Sequence, residues 1–253
     1  MTRELRIVLP LRFDERIRGY CQQIFAGHLP HVRLTASFLL DAVDSTVSDY
    51  DQFRNAPFVL KAVQAAVRDG CAGVFLDVAF DTALSAAKTI APIPVVGALE
   101  GAIAFARVVG RRFSILAIND EEVPVNHRLS REYGFVEQLV SVEPIGIPVH
   151  ELRAAPPVTL ARLEGATRHA IGKGAQAVVL GCTAMSWAAT TLAERVGIPV
   201  LDTNLLGLYL LDGMTALGIR QSPLEYIRPS GFVPITDEEY AAMRALTFDI
   251  RSG

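Results

Sequence analysis

The chain has 253 residues, of which 51% are hydrophobic and 20% are charged, and its formal net charge is −3. This length suits one large or two ordinary domains, and the charge excludes the basic field that nucleic-acid binding requires. The N-terminal residues lack the apolar stretch of a signal peptide, and no apolar run is long enough to span a membrane. We therefore expect a cytoplasmic protein with neither a nucleic-acid nor a membrane partner.

Short apolar runs alternate along the chain with longer segments of helical period, a pattern typical of α/β proteins in which helices cover parallel sheets. The tail from Gly218 onward carries several prolines, and there we predict a wrapping arm or an oligomer contact with one short helix. The predicted strands are Leu5–Leu9, Val32–Ser37, Gly73–Asp77, Val95–Gly97, Phe113–Ala117, Val140–Ile145, Ala177–Gly181 and Val200–Leu201. The predicted helices are Asp14–Ala26, Phe53–Arg68, Thr82–Ile90, Leu99–Val109, Glu122–Tyr133, Thr159–Lys173, Met185–Val196, Leu205–Leu217 and Asp237–Leu246.

An internal repeat relates two parts of the chain. Gly73–Ala79 aligns with Ala177–Thr183 at an offset of 104 residues, and Ile93–Val96 aligns with Ile198–Leu201 at an offset of 105. The repeat predicts two similar α/β halves, with a ligand cleft at the carboxyl ends of their strands. We place residues 1–98 and 205–253 in the first lobe, and residues 99–204 in the second.

The chain's three cysteines form neither a CxxC pair nor a cluster with histidine that would suit a metal. Cys182 follows a predicted strand and precedes a predicted helix, where backbone N–H groups would favour a thiolate and hold a substrate carboxylate. Gly181 before it gives the backbone freedom to turn and leaves room for a ligand. The alternative interpretation of Cys182 is a small buried apolar residue, which is the role we expect for Cys21 and Cys71.

The repeat places Val78 at the position equivalent to Cys182, so the first half has an inert side chain where the second has a thiol. Asp81 lies close by, and its simpler role is to cap the helix that follows. Asp77 is expected to point to the opposite side of its strand from Val78. Arg12, after the first strand, could clamp a carboxylate or lie on the surface, and the sequence leaves both open.

Two histidines are weaker candidates, because His127 is expected on a helix surface and a lone residue such as His150 is more often structural. The sequence contains neither a GxGxxG segment after the first strand nor a GxxxxGK[ST] segment. Nucleotide binding is therefore unsupported.

The segments Val178–Ala184, Ile93–Gly101 and Gly110–Ser114, together with the duplicated layout, resemble the Asp/Glu/hydantoin racemase superfamily. The resemblance covers roughly residues 5 to 217 and is closest to the hydantoin racemase side. It implies two flavodoxin-like parallel-sheet halves related by pseudo-two-fold symmetry, an active site in the cleft between them, and no metal or pyridoxal phosphate. Family members use one cysteine per half to move a proton at each face of a carbon beside a carboxyl or carbonyl group.

Cys182 matches the second-half cysteine of this family, whereas Val78 occupies the first-half place, three residues before Asp81. Pro10 and Arg12 belong to an altered form of the family's first-strand motif. We predict a cofactor-independent racemase- or isomerase-type enzyme that uses Cys182 for proton transfer alpha to a carboxylate or carbonyl. The substrate-binding residues expected are Pro10, Arg12, Val78, Ala79, Phe80, Asp81, Thr82, Gly181 and Thr183.

Three other functions remain open at the sequence level. A single thiol would also suit a lyase such as arylmalonate decarboxylase, or a cis–trans isomerase, because neither needs an acid or base on both faces of the reacting carbon. A non-catalytic ligand-binding relative is the third. In every case the expected partner is a small molecule that bears a carboxylate or carbonyl, and formation of a homo-oligomer is left open.

Overall fold

The computed structural model describes residues 2–43, 46 and 48–252. Its strands are β1 Glu4–Val8, β2 Arg33–Ser37, β3 Gly73–Leu76, β4 Val95–Gly97, β5 Phe113–Ala117, β6 Leu139–Pro144, β7 Ala177–Leu180, β8 Val200–Leu201 and β9 Thr247–Asp249. Its α-helices are α1 Glu15–Phe25, α2 Asp49–Arg68, α3 Leu84–Ile90, α4 Ala98–Val109, α5 Glu122–Glu132, α6 Pro156–Gly172, α7 Ala189–Val196, α8 Thr203–Ala216 and α9 Asp237–Ala245. Val149–Glu151 and Thr183–Ala188 form short 3₁₀ helices.

The chain divides into two compact units, which we call the first and second lobes. The first lobe comprises Met1–Gly97 and Gly207–Gly253, and the second comprises Ala98–Leu206. Each lobe has its own sheet with helices packed on it, so the predicted α/β class and the two parallel-sheet halves are confirmed.

The two sheets share one strand order. The first is ordered β4-β3-β1-β2-β9 and the second β8-β7-β5-β6, so β3 and β7 occupy equivalent places, as do β4 and β8. These are the strand pairs that the internal repeat aligns. Strands β1–β4 pair in parallel, and so do β5–β8. The sheets are therefore consistent with the expected pseudo-symmetry.

The C-terminal tail contributes a strand that the sequence analysis missed. The predicted helix is present as α9, and its N-terminus has a capping box formed by Thr236 and Glu239. The chain then adds β9 antiparallel to β2, with Ala36 opposite Phe248. The ring of Phe248 stacks on that of Phe38 at 5.9 Å. A three-residue strand is too short to show the alternation of apolar and polar residues that predicts a strand. It is recognised only from its pairing with β2.

Two helix predictions need correction. The α2 helix begins at Asp49, four residues before the predicted start, because Ser48 and Asp51 form a capping box. The single helix predicted at Met185–Val196 is instead a 3₁₀ helix, Thr183–Ala188, followed by α7. The chain therefore turns helical directly after Cys182, which occupies the N-cap position.

Candidate active site

Cys182 lies at the carboxyl edge of the second-lobe sheet, two residues beyond the end of β7. It is half-buried and packs against an apolar cluster that includes Leu180, Met185 and Leu192. The carbonyl oxygen of Cys182 accepts a hydrogen bond from the Met185 N–H at 3.0 Å, which starts the 3₁₀ turn. One side of the residue is thus held by the lobe while part of its surface stays accessible.

Gly181 is required by the close approach of the neighbouring strand β5. Its N–H donates to the carbonyl oxygen of Leu116 at 2.8 Å, which extends the β5–β7 ladder by one bond. A Cβ atom at Gly181 would lie 2.6 Å from that oxygen and 2.9 Å from Cγ2 of Ile115. The structure therefore gives this glycine a packing role in addition to any role beside a ligand.

The other two cysteines lie in very different surroundings. Cys21 and Cys71 are 2% and 3% exposed. Burial raises the pKa of Cys71 to about 12, and burial together with the nearby Asp77 carboxylate raises the pKa of Cys21 well above its ordinary value. All three cysteines lie in the described part of the chain, and none of them forms a disulfide. Only Cys182 has both accessible surface and a strand-end position.

A polar network beside Cys182 was missed by the sequence analysis. Asp202, the residue after β8, is buried; its carboxylate accepts a hydrogen bond from the Ser186 hydroxyl and another from the Asn204 N–H at 2.9 Å. The Asn204 side-chain amide donates to the carbonyl oxygen of Thr183 at 3.0 Å. The network therefore links the segment after β7 to the residues after β8. A usable signal existed, because the repeat aligns Asp202 with the apolar position Gly97.

The equivalent edge of the first-lobe sheet carries the segment Val78–Thr82, and all five of its residues are buried. Val78 lies two residues beyond the end of β3, just as Cys182 lies two residues beyond the end of β7. The Thr82 hydroxyl is buried and has no hydrogen-bond partner among the described residues.

Asp81 is not the N-cap residue of α3, which is the simpler role expected for it. The N-cap of α3 is Ala83, which makes no side-chain cap bond, and the Asp81 backbone carbonyl accepts from the Leu84 N–H at 2.9 Å. The Asp81 carboxylate instead lies against Gly97, where an added Cβ would collide with it. Asp81 and Ala83 both have positive φ, so this loop stores backbone strain of the kind that clusters at functional sites.

The loop after β1 is also at the carboxyl edge of the first-lobe sheet. Pro10 is buried, and its carbonyl oxygen accepts from the Asn55 side chain at 2.9 Å. Arg12 is exposed, and its guanidinium donates to the carbonyl oxygen of Ala42 at 3.4 Å. His127 and His150 are exposed, and His150 lies beside Glu151.

Glu122 is a buried acid at the start of α5, after β5. Its carboxylate accepts from the Ile118 N–H at 2.8 Å, and its backbone carbonyl accepts from the Asn126 side chain at 2.9 Å. Burial raises the pKa of Glu122 to about 7, a rise that the Ile118 bond opposes and the nearby Glu121 charge reinforces. The sequence offered no signal for this residue, because an acid in the first turn of a helix is ordinarily exposed.

The described residues include no group of three or more His, Cys, Asp or Glu side chains arranged to hold a metal ion. Among the same residues, none of the helices is long and apolar enough to cross a membrane.

Comparison with known proteins then decides the family. The model of the Asp/Glu/hydantoin racemase family matches residues 15–211. The chain belongs to this family. The family segment ends within α8, so it includes the carboxyl edges of β3 and β7 but not the tail. The resemblance inferred from Val178–Ala184 and the repeat is thereby confirmed.

Individual members of the racemase family show the same relationship. A hydantoin racemase of Rhizobium meliloti is 27% identical over 196 residues, which are 76% of this chain and 80% of that protein. The structure of allantoin racemase from Klebsiella pneumoniae superposes with a TM-score of 0.86 at 22% identity, covering 94% of this chain and 98% of that one. A double mutant of arylmalonate decarboxylase gives a TM-score of 0.65 at 18% identity, covering 88% and 96%. These structural likenesses establish the shared fold.

Proposed function

We propose that this protein is a cofactor-independent racemase- or isomerase-type enzyme in which Cys182 transfers a proton at a carbon alpha to a carbonyl or carboxylate. The observation that carries the proposal is the contrast among the three thiols. Cys21 and Cys71 are buried with raised pKa values, whereas Cys182 is half-buried at the carboxyl edge of a parallel sheet. Ligands of open parallel sheets bind at that edge.

The chemistry needs the Cys182 thiolate to take the proton from one face of the carbon and solvent water to deliver a proton to the other face, because a proton returned to the same face would leave the configuration unchanged. Removing the proton leaves an enolate, whose negative charge resides largely on the oxygen of the substrate carbonyl. Hydrogen-bond donors must stabilise this charge. The Thr183 backbone amide lies directly beside the thiol and is the candidate donor. Gly181 brings Cys182 to this edge by allowing β5 and β7 to pair up to their ends.

The substrate class follows from the relatives together with this chemistry. Hydantoin racemase and allantoin racemase are named for cyclic ureides, in which the reacting carbon is bonded to both a ring carbonyl and a ring nitrogen. We propose a substrate of this class, with allantoin and a 5-monosubstituted hydantoin as the first compounds to test. Pro10, Arg12 and the segment Val78–Thr82 are proposed to contribute to substrate binding.

A single-thiol lyase is the second candidate, and the observation that favours it is Val78. Valine cannot transfer a proton, so the position equivalent to Cys182 supplies no acid or base. A thiol that acts alone protonates one face of an enolate, which suits decarboxylation of a malonate to a one-handed product. The arylmalonate decarboxylase fold is shared with this chain.

One experiment separates the two candidates. The purified protein is incubated in D₂O with each enantiomer of allantoin, with a 5-monosubstituted hydantoin and with an α-aryl-α-methylmalonate, and spontaneous rates are subtracted. Racemisation with deuterium in both enantiomers supports the racemase, whereas release of carbon dioxide with a one-handed product supports the lyase. The Cys182→Ser variant should be inactive in either case, while Cys21→Ser should keep its activity. Full turnover by Cys182→Ser would overturn the proposal.

A further inference from the structure

The network around Asp202 has no part in the proton transfer proposed above, yet it contacts the chain beside the thiol. Cys182 is bracketed by two tethers. On one side the Gly181 N–H bonds to Leu116, and on the other the Thr183 carbonyl oxygen accepts from Asn204 at 3.0 Å. The Met185 N–H also holds the carbonyl oxygen of Cys182. The backbone on both sides of the thiol is therefore fixed to its lobe.

The Asn204 tether depends in turn on Asp202. The Asp202 carboxylate accepts from the Asn204 N–H at one oxygen and from the Ser186 hydroxyl at the other. It therefore fixes the first turn of α8 and the 3₁₀ helix after Cys182 at the same time. Asn204 is 1% exposed, so water cannot readily replace its bond to Thr183.

We propose that Asn204, held in place by Asp202 and Ser186, is a positioning residue that fixes the Cys182–Thr183 segment for proton transfer. This inference rests on the proposed role of Cys182. The rate of proton transfer between sulfur and carbon depends steeply on the distance and angle between them. A loosened Cys182–Thr183 segment should therefore lower kcat more than it lowers substrate affinity. Asn204 and Asp202 act through one chain of hydrogen bonds, so their effects should not add.

The test uses the full-length protein and the substrate on which Cys182→Ser is inactive. Asn204→Ala and Asp202→Ala should each lower kcat by about tenfold with KM changed by less than about threefold. The double variant should be no worse than about threefold below either single variant. Asp202→Asn keeps an oxygen acceptor of the same shape, so it should recover most of the lost kcat.

The matched control is Asn126→Ala. Asn126 is also a buried asparagine of the second lobe that donates to a backbone carbonyl, at 2.9 Å, but its partner is Glu122 and not the Cys182 segment. This variant should lose comparable stability and keep its kcat. If Asn204→Ala and Asn126→Ala lower kcat equally, or if the Asn204 and Asp202 effects multiply, the positioning role is wrong.

Hydrogen–deuterium exchange gives a readout that needs no substrate. Amides of residues 182–186 should exchange faster in Asn204→Ala than in the parent protein, and at the parent rate in Asn126→Ala. Unchanged exchange in Asn204→Ala would overturn the inference even if Cys182 proves essential. Conversely, full activity of Cys182→Ser together with faster exchange in Asn204→Ala would overturn the proposed function and leave the tether established.

Discussion

Replacing Gly181 by alanine should destabilise the second lobe by overpacking the β5–β7 junction. The new Cβ would lie 2.6 Å from the Leu116 carbonyl oxygen, which is backbone and cannot rotate away. Relief requires β7 to move from β5, which also weakens the 2.8 Å bond between the Gly181 N–H and that oxygen. Overpacking costs about 1–3 kcal/mol, and a weakened hydrogen bond adds about 1 kcal/mol. We therefore expect a loss of about 3 kcal/mol, or about 6–12 °C in Tm for a chain of this size.

Gly165→Ala is the matched control for this measurement. Gly165 lies in α6, also in the second lobe, and a Cβ added there meets nothing within 4 Å. Alanine is the better helix former by about 1 kcal/mol, so this variant should be slightly more stable than the parent. Urea unfolding followed by circular dichroism, together with thermal scans, measures both variants. A Gly181→Ala protein as stable as Gly165→Ala would refute the close-approach argument.

Three further predictions concern titratable groups. Burial raises the pKa of Glu122 from 4.5 to about 7, so the folded protein loses stability as the pH rises through that range. Glu122→Gln should therefore have the higher Tm at pH 8 and little advantage at pH 4.5. Burial by itself would raise the pKa of Asp69, but hydrogen bonds from Tyr240 and two arginines outweigh burial and hold the folded-state pKa below the ordinary 3.8. The Asp69 carboxylate therefore stabilises the fold above pH 3.8, and this stabilisation disappears as the pH falls through the folded-state pKa. Asp69→Asn should cost about 3 kcal/mol at pH 7, and this cost should shrink as the pH falls through the folded-state pKa of Asp69, as shown by Tm measured against pH. Iodoacetamide at pH 8 should leave Cys21 and Cys71 unmodified until urea unfolds the chain, and mass spectrometry of the native protein checks this.

The repeating architecture was readable from the sequence because its signals are local. Near-continuous apolar runs marked β1 to β8, and two aligned segments identified the strand pairs β3 with β7 and β4 with β8. Cys182 stood out because its neighbours Gly181 and Thr183 follow a buried run directly. The loss of the partner thiol at Val78 was visible from the same alignment.

What the sequence could not reveal depends on contacts between distant residues. Asp202 reaches Ser186 across 16 residues, and Asn204 reaches Thr183 across 21, so neither pair forms a local motif. The pairing of β9 with β2 joins residues more than 200 positions apart. The role of Gly181 was ascribed to turning and ligand space, because the approach of Leu116 is a property of strand packing.

The two lobes place a buried carboxylate at the carboxyl edge of their sheets by different routes. In the second lobe, Asp202 after β8 reaches Ser186 in the segment after β7. In the first, the carboxylate comes from Asp81 after β3, and it faces Gly97, the last residue of β4, which must lack a side chain to admit it. Both lobes thus bring an acid between the ends of their third and fourth strands, by reversed routes. Two residues beyond the third strand, the first lobe has Val78 and the second has Cys182, so the lobes differ in this side chain although both have a carboxylate nearby.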